Sequence, residues 1–109
     1  MQGIEITRFR SHAQPMETWI ASHDGEVIGH IYLLVETDKK IKFLDAWVHP
    51  DWRGKGVYRR LWERRWEDVR TEYSGYTVYA WCKSGSLPLL LEKGFSPGEQ
   101  CTYVEKKID

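Results

Sequence analysis

Two glycines and two cationic residues stand together in the middle of the chain, in the stretch Arg53-Gly54-Lys55-Gly56. Main-chain amides at the N-terminus of a helix have no acceptor within the helix and carry a partial positive charge, so they bind anions. Glycines let a phosphate approach the backbone without a Cβ in the way, and Arg53 and Lys55 add formal charge. The stretch therefore predicts a phosphate-binding turn, provided that a helix follows it.

A glycine turn of this kind can also merely connect a strand to a helix, with its cations solvated. The spacing is neither the Gly-x-Gly-x-x-Gly of dinucleotide-binding folds nor the Gly-x4-Gly-Lys-Ser/Thr of nucleoside-triphosphate loops. The glycines alone leave open whether the turn binds a ligand, and the elements around them must decide.

The residues after the turn predict such a helix. Apolar residues recur from Val57 onward at near-helical spacing, and charged residues occupy mostly the other side. The apolar positions are Val57, Leu61, Trp62, Trp66, Val69 and Tyr73. This pattern predicts an amphipathic helix that begins near Val57 and ends at Gly75, with Arg59-Arg60 and Arg64-Arg65 on a solvated, salt-bridged face rather than on a nucleic-acid surface.

Strands surround this helix. Alternation and β-branched or aromatic content predict them at residues 3–9, 18–21, 27–35, 41–48, 76–82 and 100–106, and a short second helix over about 86–93. The Asp24-Gly25 pair favours a hairpin, and Gly29 inside the third strand suggests a bulge. A strand, the helix and the next strand in sequence imply a right-handed parallel crossover.

The composition fits one globular domain over residues 1–109. Hydrophobic residues make up 41% of the chain, and 16 basic residues balance 16 acidic ones. No overall field recruits nucleic acid, and no apolar run is long enough to cross a membrane, so a cytoplasmic protein is expected. Two cysteines and four scattered histidines show no metal-site spacing, so no metal is expected.

The segment from Val48 to Tyr58 resembles the signature of the GNAT superfamily of N-acetyltransferases. That signature reads Gln/Arg-x-x-Gly-x-Gly/Ala after a strand ending in Val-x-Pro. Here Arg53, Gly54, Lys55 and Gly56 match it, while Tyr58 replaces the last small residue. The resemblance extends over roughly residues 16–107, through the hairpin at 24–29 and the segment 92–95.

The resemblance implies a fold and a cofactor. The fold would be α/β (α+β): a mixed, mostly antiparallel sheet of about six strands with a splayed parallel pair and two main helices, lacking most of the usual N-terminal helical region. The amides of the turn would hold the pyrophosphate of acetyl-coenzyme A, and the edges of Trp47 and Val48 would pair with its pantetheine arm. The turn residues concerned are Arg53, Gly54, Lys55, Gly56, Val57 and Tyr58.

The implied reaction is direct attack of a primary amine on the thioester in a ternary complex, with the oxyanion held by a backbone amide near Val48. Many relatives carry a tyrosine as general acid where this chain has Leu90, and an asparagine where it has Lys83. Asp45 and His49 are the candidate bases. The alternative is a catalytically weak module that binds or senses acyl-coenzyme A. The acceptor stays open, and the missing helical cover suggests a homodimer.

Overall fold

The computed structural model describes residues 3–11, 15–81, 87–97 and 103–108. In chain order these form β1 (Ile4–Arg10), β2 (Met16–His23), β3 (Glu26–Glu36), β4 (Lys40–Val48), a short 3-10 turn (Pro50–Trp52), α1 (Val57–Glu72), β5 (Thr77–Trp81), α2 (Leu87–Glu92), β6 (Ser96–Pro97) and β7 (Tyr103–Lys107). The predicted helix, hairpin and strands are thus present, with ends that differ by a few residues.

The described strands form one mixed sheet in the order β1-β2-β3-β4-β5-β7-β6. Six of them have five or more residues, and β6 has two. Each neighbouring pair is antiparallel except β4 and β5, which run parallel. This confirms the predicted fold class, a mostly antiparallel sheet with one parallel pair and two helices.

The parallel pair is short. Pairing between β4 and β5 runs from Lys40 with Thr77 to Lys42 with Tyr79, whereas β4 itself continues to Val48 against β3. Beyond Lys42, the edge of β4 that faces β5 has no strand partner among the described residues. The two strands therefore separate in the direction of the glycine turn.

Both described helices lie on one face of this sheet. Leu61, Trp62 and Val69 of α1 are buried in the same core as Leu33 of β3 and Val78 of β5. The ring of Phe43 on β4 meets the rings of Trp62 and Trp66 edge-on, and Phe95, just after α2, packs against all three. This burial of aromatic area fixes α1 across β2, β3 and β4.

The other face of the sheet carries several exposed apolar side chains. Phe9 is 53% exposed, Met16 40% and Trp47 37%. Tyr32 and Leu34, which alternate with the buried Ile31 and Leu33 along β3, are half-buried on this side. In the described part of the chain, neither helix covers this face. The described helices also include none that is long and apolar enough to cross a membrane.

Candidate active site

The glycine turn forms an uncapped helix N-terminus at the end of β4. Gly54 and Gly56 both have positive φ, 76° and 84°, a conformation that side chains with a Cβ adopt with strain. Gly56 is the N-terminal cap residue of α1, and no side chain caps the helix. The hydrogen bond from the Arg60 N–H to the Gly56 carbonyl, at 3.1 Å, closes the first turn. The amides before Arg60 therefore have no acceptor within the helix.

The 3-10 turn between β4 and the glycines is held to the sheet on both sides. The His49 N–H donates to the Ile28 carbonyl at 2.8 Å, and the Trp52 N–H donates to the His49 carbonyl at 2.8 Å. The Trp52 ring lies 4.8 Å from that of His23, and the Lys55 ammonium lies 5.3 Å from its centre. These contacts tie the approach to the turn to β2 and β3, which fixes where the helix begins.

The two cations of the turn, Arg53 and Lys55, are exposed and lie beside the start of the helix. The Arg53 Nε donates to the Val48 carbonyl at 3.0 Å, so this side chain folds back toward the end of β4. Neither Arg53 nor Lys55 forms an ion pair with another described residue. Their charge therefore adds to the potential of the helix N-terminus. Tyr58, which replaces the last small residue of the signature, is half-buried against the core.

Gly29 on β3 lets α1 approach the sheet at this end. A Cβ there would lie 3.0 Å from the Trp47 carbonyl oxygen, 3.1 Å from Leu61 Cδ1 and 3.3 Å from Val57 Cγ1. The predicted bulge is next to it, because the register between β2 and β3 shifts so that Ile28 is the extra residue. The absent side chain of Gly29 is thus what allows the first turn of the helix to sit against β3 and β4.

The register of β3 and β4 orients the backbone at the end of β4. The bond from the His49 N–H to the Ile28 carbonyl marks a hydrogen-bonded position of this antiparallel ladder. Because such positions alternate, Val48 opposite Gly29 and Ala46 opposite Ile31 are at positions that are not hydrogen-bonded across the pair. Their N–H and C=O groups point away from β3, toward the gap that β5 has left.

A second register shift interrupts β4 before this point. Ile31 pairs with Ala46 but Leu33 pairs with Phe43, so two residues of β4, Leu44 and Asp45, stand opposite Tyr32. This is a β-bulge. No glycine or proline marks it in the sequence, which is why the pattern of residues did not predict it. Asp45 is exposed at the bulge, beside the gap.

Arg65 of α1 lies against this bulge, and the expectation that it occupies a solvated helix face is wrong. The residue is 2% exposed, and its Nη1 donates to the carbonyls of Tyr32 at 2.8 Å and Leu44 at 3.4 Å. Its spacing could have revealed this, because Arg65 stands four residues from both Leu61 and Val69, in the middle of the apolar stripe. Burial lowers the pKa of the Arg65 guanidinium to about 9, so it stays charged at neutral pH.

The two predicted bases differ in their surroundings. The His49 Nδ1 accepts a hydrogen bond from the Asp51 N–H at 3.0 Å and so caps the 3-10 turn. A neutral imidazole that accepts at one nitrogen carries its proton on the other. Asp45, in contrast, forms no ion pair with a described residue and is exposed.

The position of the family's tyrosine acid is part of the core here. Leu90 is 1% exposed, and its carbonyl accepts from the amides of Lys93 and Phe95 at 3.1 Å each. A leucine cannot donate a proton to a leaving thiolate. Lys83, the other noted departure, lies outside the described residues. Among the described residues no cluster of histidine, cysteine and acidic side chains could hold a metal ion.

The family model for the acetyltransferase (GNAT) family matches residues 3–95. The chain therefore belongs to the GNAT acetyltransferase family, whose members are N-acyltransferases that use acetyl-coenzyme A. No curated protein matches the chain by sequence.

Solved structures of acetyltransferases share the fold. The IAA acetyltransferase from Bacillus cereus superposes with a TM-score of 0.66 at 23% identity, over 88% of this chain and 79% of that one. The protein yncA from Salmonella typhimurium, solved with acetyl-coenzyme A, gives 0.69 at 21% identity, over 86% and 65%. The ribosomal-protein-S18-alanine N-acetyltransferase from Escherichia coli gives 0.65 at 13% identity, over 88% and 67%. At these identities the likeness shows the fold.

Proposed function

We propose that this chain transfers the acetyl group of acetyl-coenzyme A to a primary amine by direct attack in a ternary complex. The observation that carries the proposal is the end of β4. There, an uncapped helix N-terminus entered through two glycines with positive φ stands beside a strand edge that has lost its parallel neighbour. Membership of the family indicates that the acyl donor is acetyl-coenzyme A. The turn is a candidate site for its pyrophosphate, and the strand edge is a candidate site for its pantetheine arm.

The turn suits the pyrophosphate of the donor. The turn from Arg53 to Tyr58 precedes and opens α1, where the helix dipole favours negative charge. The Arg53 N–H already donates to the Pro50 carbonyl at 3.4 Å, so the amides from Gly54 to Val57 are the candidate donors. A Cβ built on Gly54 would meet nothing within 4 Å, so the approach to the backbone is open. Arg53 and Lys55 flank the turn and add charge without competing ion pairs among the described residues. These features together favour a diphosphate.

The free edge of β4 suits the pantetheine arm. An extended chain with amide groups can add to an open strand edge as another strand would. Trp47 and Val48 end this edge, and the backbone of Val48 points to the gap. The Val48 carbonyl already accepts from Arg53 Nε, so we expect the arm to bond chiefly to its N–H. This would place the thioester along β4 toward Ala46.

Asp45 is the better candidate for the base. The amine nitrogen attacks the thioester carbonyl carbon, the carbon–sulfur bond breaks, and a proton leaves the amine. Asp45 is exposed at the bulge beside the gap and can take that proton directly or through water. His49 is less suited because its Nδ1 lone pair is engaged by the Asp51 amide. Leu90 offers no acid, so the sulfur leaves as a thiolate, which a thiol pKa near 8.5 makes reasonable.

A second candidate function is an acyl-coenzyme A-binding or sensing module of weak activity. The buried Leu90 at the acid position favours it, because the departing thiolate then lacks the usual proton donor. The two functions share the binding turn and differ in turnover. They are therefore separated by kinetics and not by affinity.

The sheet face that neither described helix covers supports a homodimer as part of the proposal. Phe9, Met16 and Trp47 expose apolar surface on the side opposite the helices, and Trp47 stacks on His30 with 5.3 Å between ring centres. A second copy could cover this face and complete the acceptor site beside Trp47. A primary amine as the acceptor is part of the same proposal. The cytoplasmic location stays a prediction.

Two measurements test the proposal. Calorimetry with coenzyme A and acetyl-coenzyme A measures binding, and thiol release with a panel of small amines and peptide N-termini measures turnover. Binding with amine-dependent thiol release above background supports the enzyme. Binding without such release supports the module, and the absence of binding removes both.

A further inference from the structure

Arg65 is a buried cation placed where β4 leaves β5. Besides its two bonds to the carbonyls of Tyr32 and Leu44, its guanidinium lies 3.7 Å from the centre of the Phe43 ring. No ion pair in the described part of the chain involves Arg65, and its Nε is buried there without a hydrogen-bond partner. Burying an unpaired charge is costly, so an apolar residue would serve the core better at this position. A charged donor at position 65 must therefore make an interaction that an apolar residue cannot make.

What Arg65 contacts is the bulge itself. Tyr32 is the residue that faces two residues of β4, and Leu44 is one of those two. A bulge disrupts the ladder locally, and backbone carbonyls that lose a regular partner in the core need another donor. Nη1 supplies it to one carbonyl on each strand. Arg65 thus bridges β3 and β4 at the point where their register changes.

The register change decides which amides of β4 face the gap. On the near side of the bulge, Ile41 and Phe43 are buried on the core face. On the far side, Ala46 and Val48 face the gap with their backbone, while Asp45 and Trp47 are exposed. The direction of the backbone N–H and C=O groups alternates along a strand. Without the extra residue, the groups of Asp45 and Trp47 would therefore face the gap, in place of those of Ala46 and Val48.

We propose that Arg65 is a positioning residue for acyl transfer, because it holds the bulge that turns the amide of Val48 toward the pantetheine arm and that of Ala46 toward the thioester of the donor. This rests on the proposed function. An amide held in that direction donates a hydrogen bond to the thioester carbonyl oxygen and stabilises the charge that develops there. Arg65 itself does not touch the substrate.

The test follows the thioester carbonyl directly and needs no known acceptor. Isotope-edited infrared spectroscopy of bound [1-13C]acetyl-coenzyme A reports the carbonyl stretch, which moves to lower frequency when the oxygen accepts a strong hydrogen bond. In the parent chain the bound frequency should lie below that of the free compound. In Arg65→Met it should return most of the way toward the free value, while calorimetric affinity for coenzyme A falls only a few-fold, because the turn is untouched and only the bond from the Val48 N–H to the arm is affected.

Kinetics with the best acceptor of the amine panel give the second readout. Loss of an oxyanion donor typically costs about 10²- to 10³-fold in kcat, so a misdirected one should cost at least about tenfold, with KM for acetyl-coenzyme A changing only a few-fold. Arg65→Lys keeps the buried charge, but its nitrogen is one bond closer to Cα than Nη1, so both contacts to the carbonyls should lengthen. Its kcat and carbonyl frequency should therefore fall between those of the parent and Arg65→Met. Arg64→Met is the matched control, because Arg64 is exposed on the same helix and pairs with Asp68 at 3.2 Å.

The outcomes separate the two proposals. A parent chain that does not bind coenzyme A overturns the proposed function and this inference with it. A parent chain that binds with a shifted carbonyl, and an Arg65→Met variant with the same shift and the same kcat, overturns the role of Arg65 alone. If Arg65→Met does not fold, Arg65→Lys decides, and parent-like values in that variant contradict the proposal.

Discussion

Gly29 on β3 lies so close to Trp47 on β4 that a Cβ on Gly29 would stand 3.0 Å from the Trp47 carbonyl oxygen. The same Cβ would meet Leu61 Cδ1 and Val57 Cγ1 of α1 at 3.1 and 3.3 Å. One missing side chain therefore sets both the spacing of two strands and the height of the helix above them. The close packing at Gly29 therefore connects the core to the start of the helix that follows the glycine turn.

Gly29→Ala should destabilise the fold and weaken coenzyme A binding together. Overpacking a core position typically costs about 1–3 kcal/mol, and here the rigid carbonyl cannot yield as a side chain could. We expect about 2 kcal/mol, measured by urea unfolding. The double variant Gly29→Ala/Val57→Ala is the control, because removing Val57 Cγ1 should recover part of the loss. Strict additivity of the two single effects would contradict the contact.

Gly56→Glu should abolish coenzyme A binding. The substitution puts a carboxylate at the helix N-terminus, where the pyrophosphate is proposed to lie, and calorimetry should show an affinity loss beyond about 10²-fold. The new side chain also meets an unfavourable backbone conformation, so a matched control is needed. Gly25→Glu provides it, since Gly25 has φ 82° against 84° for Gly56 and lies in the β2–β3 hairpin.

The control should bind coenzyme A like the parent, and both variants should lose similar stability. Equal affinity in Gly56→Glu and the parent would remove the pyrophosphate from this turn. Loss of binding in both variants would instead mean that strain at a glycine, and not the carboxylate, accounts for the effect.

The turn and its helix could be predicted from sequence because their signals are local. Glycine spacing indicated the helix start, and the apolar stripe indicated the face that packs on the sheet. The helix ends at Glu72 rather than Gly75, because Tyr73 already leaves helical geometry at φ −118°. The Asp24-Gly25 turn was predicted for the right reason, since both residues have positive φ.

The β4 bulge and Arg65 could not be predicted in the same way. A bulge without glycine or proline depends on the partner strand and on the donor that satisfies its carbonyls. That donor is Arg65, which lies 21 residues beyond Leu44 on another element. Charge patterning treated Arg65 as one more solvated arginine beside Arg64. The spacing of Arg65 within the apolar stripe predicts burial, whereas its charge predicts exposure, and in the structure the residue is buried.

Asp45→Asn should slow acetyl transfer, and His49→Ala should not. A general base contributes about 10²- to 10⁴-fold, so the asparagine variant should lose at least about 10²-fold in kcat with affinity for coenzyme A retained. His49→Ala should keep kcat within a few-fold, because the imidazole caps the 3-10 turn through Asp51. The assay is thiol release with the best amine of the panel.

The pH profile distinguishes a base from a merely structural carboxylate. If the amine must lose its proton to Asp45, raising the pH should recover part of the Asp45→Asn loss, because more of the amine is then already deprotonated. A loss that is constant with pH would argue against Asp45 as the base. A large kcat loss in His49→Ala would move the role to His49.

Tyr73→Phe should change how stability depends on alkaline pH. Glu17, 4% exposed, accepts hydrogen bonds from Arg8 Nε at 2.8 Å and from the Tyr73 hydroxyl. Burial, followed by this hydrogen bond, raises the pKa of Tyr73 above its ordinary value of 10.0. As the pH rises past 10, the tyrosine of the unfolded chain loses its proton first, so the unfolded chain binds fewer protons and the free energy of unfolding falls. Phenylalanine has no proton to lose, so this part of the fall disappears.

Two effects of that variant can be separated in urea unfolding at pH 7 to 11. At pH 7, Tyr73→Phe should be less stable than the parent by about 1 kcal/mol, because the buried Glu17 loses a donor. Above pH 10 the two curves should converge. Arg65 has the opposite effect on stability. Its pKa is lowered to about 9 in the folded chain, so above that pH the unfolded chain binds more protons and the free energy of unfolding rises. Arg65 is present in both the parent and the variant, so this effect cancels in the difference between them. Tyr76→Phe, which alters the ring that meets Tyr73 edge-on and leaves the Tyr73 hydroxyl in place, is the control at pH 7. Parallel curves for Tyr73→Phe and the parent would show that the hydroxyl does not couple to Glu17.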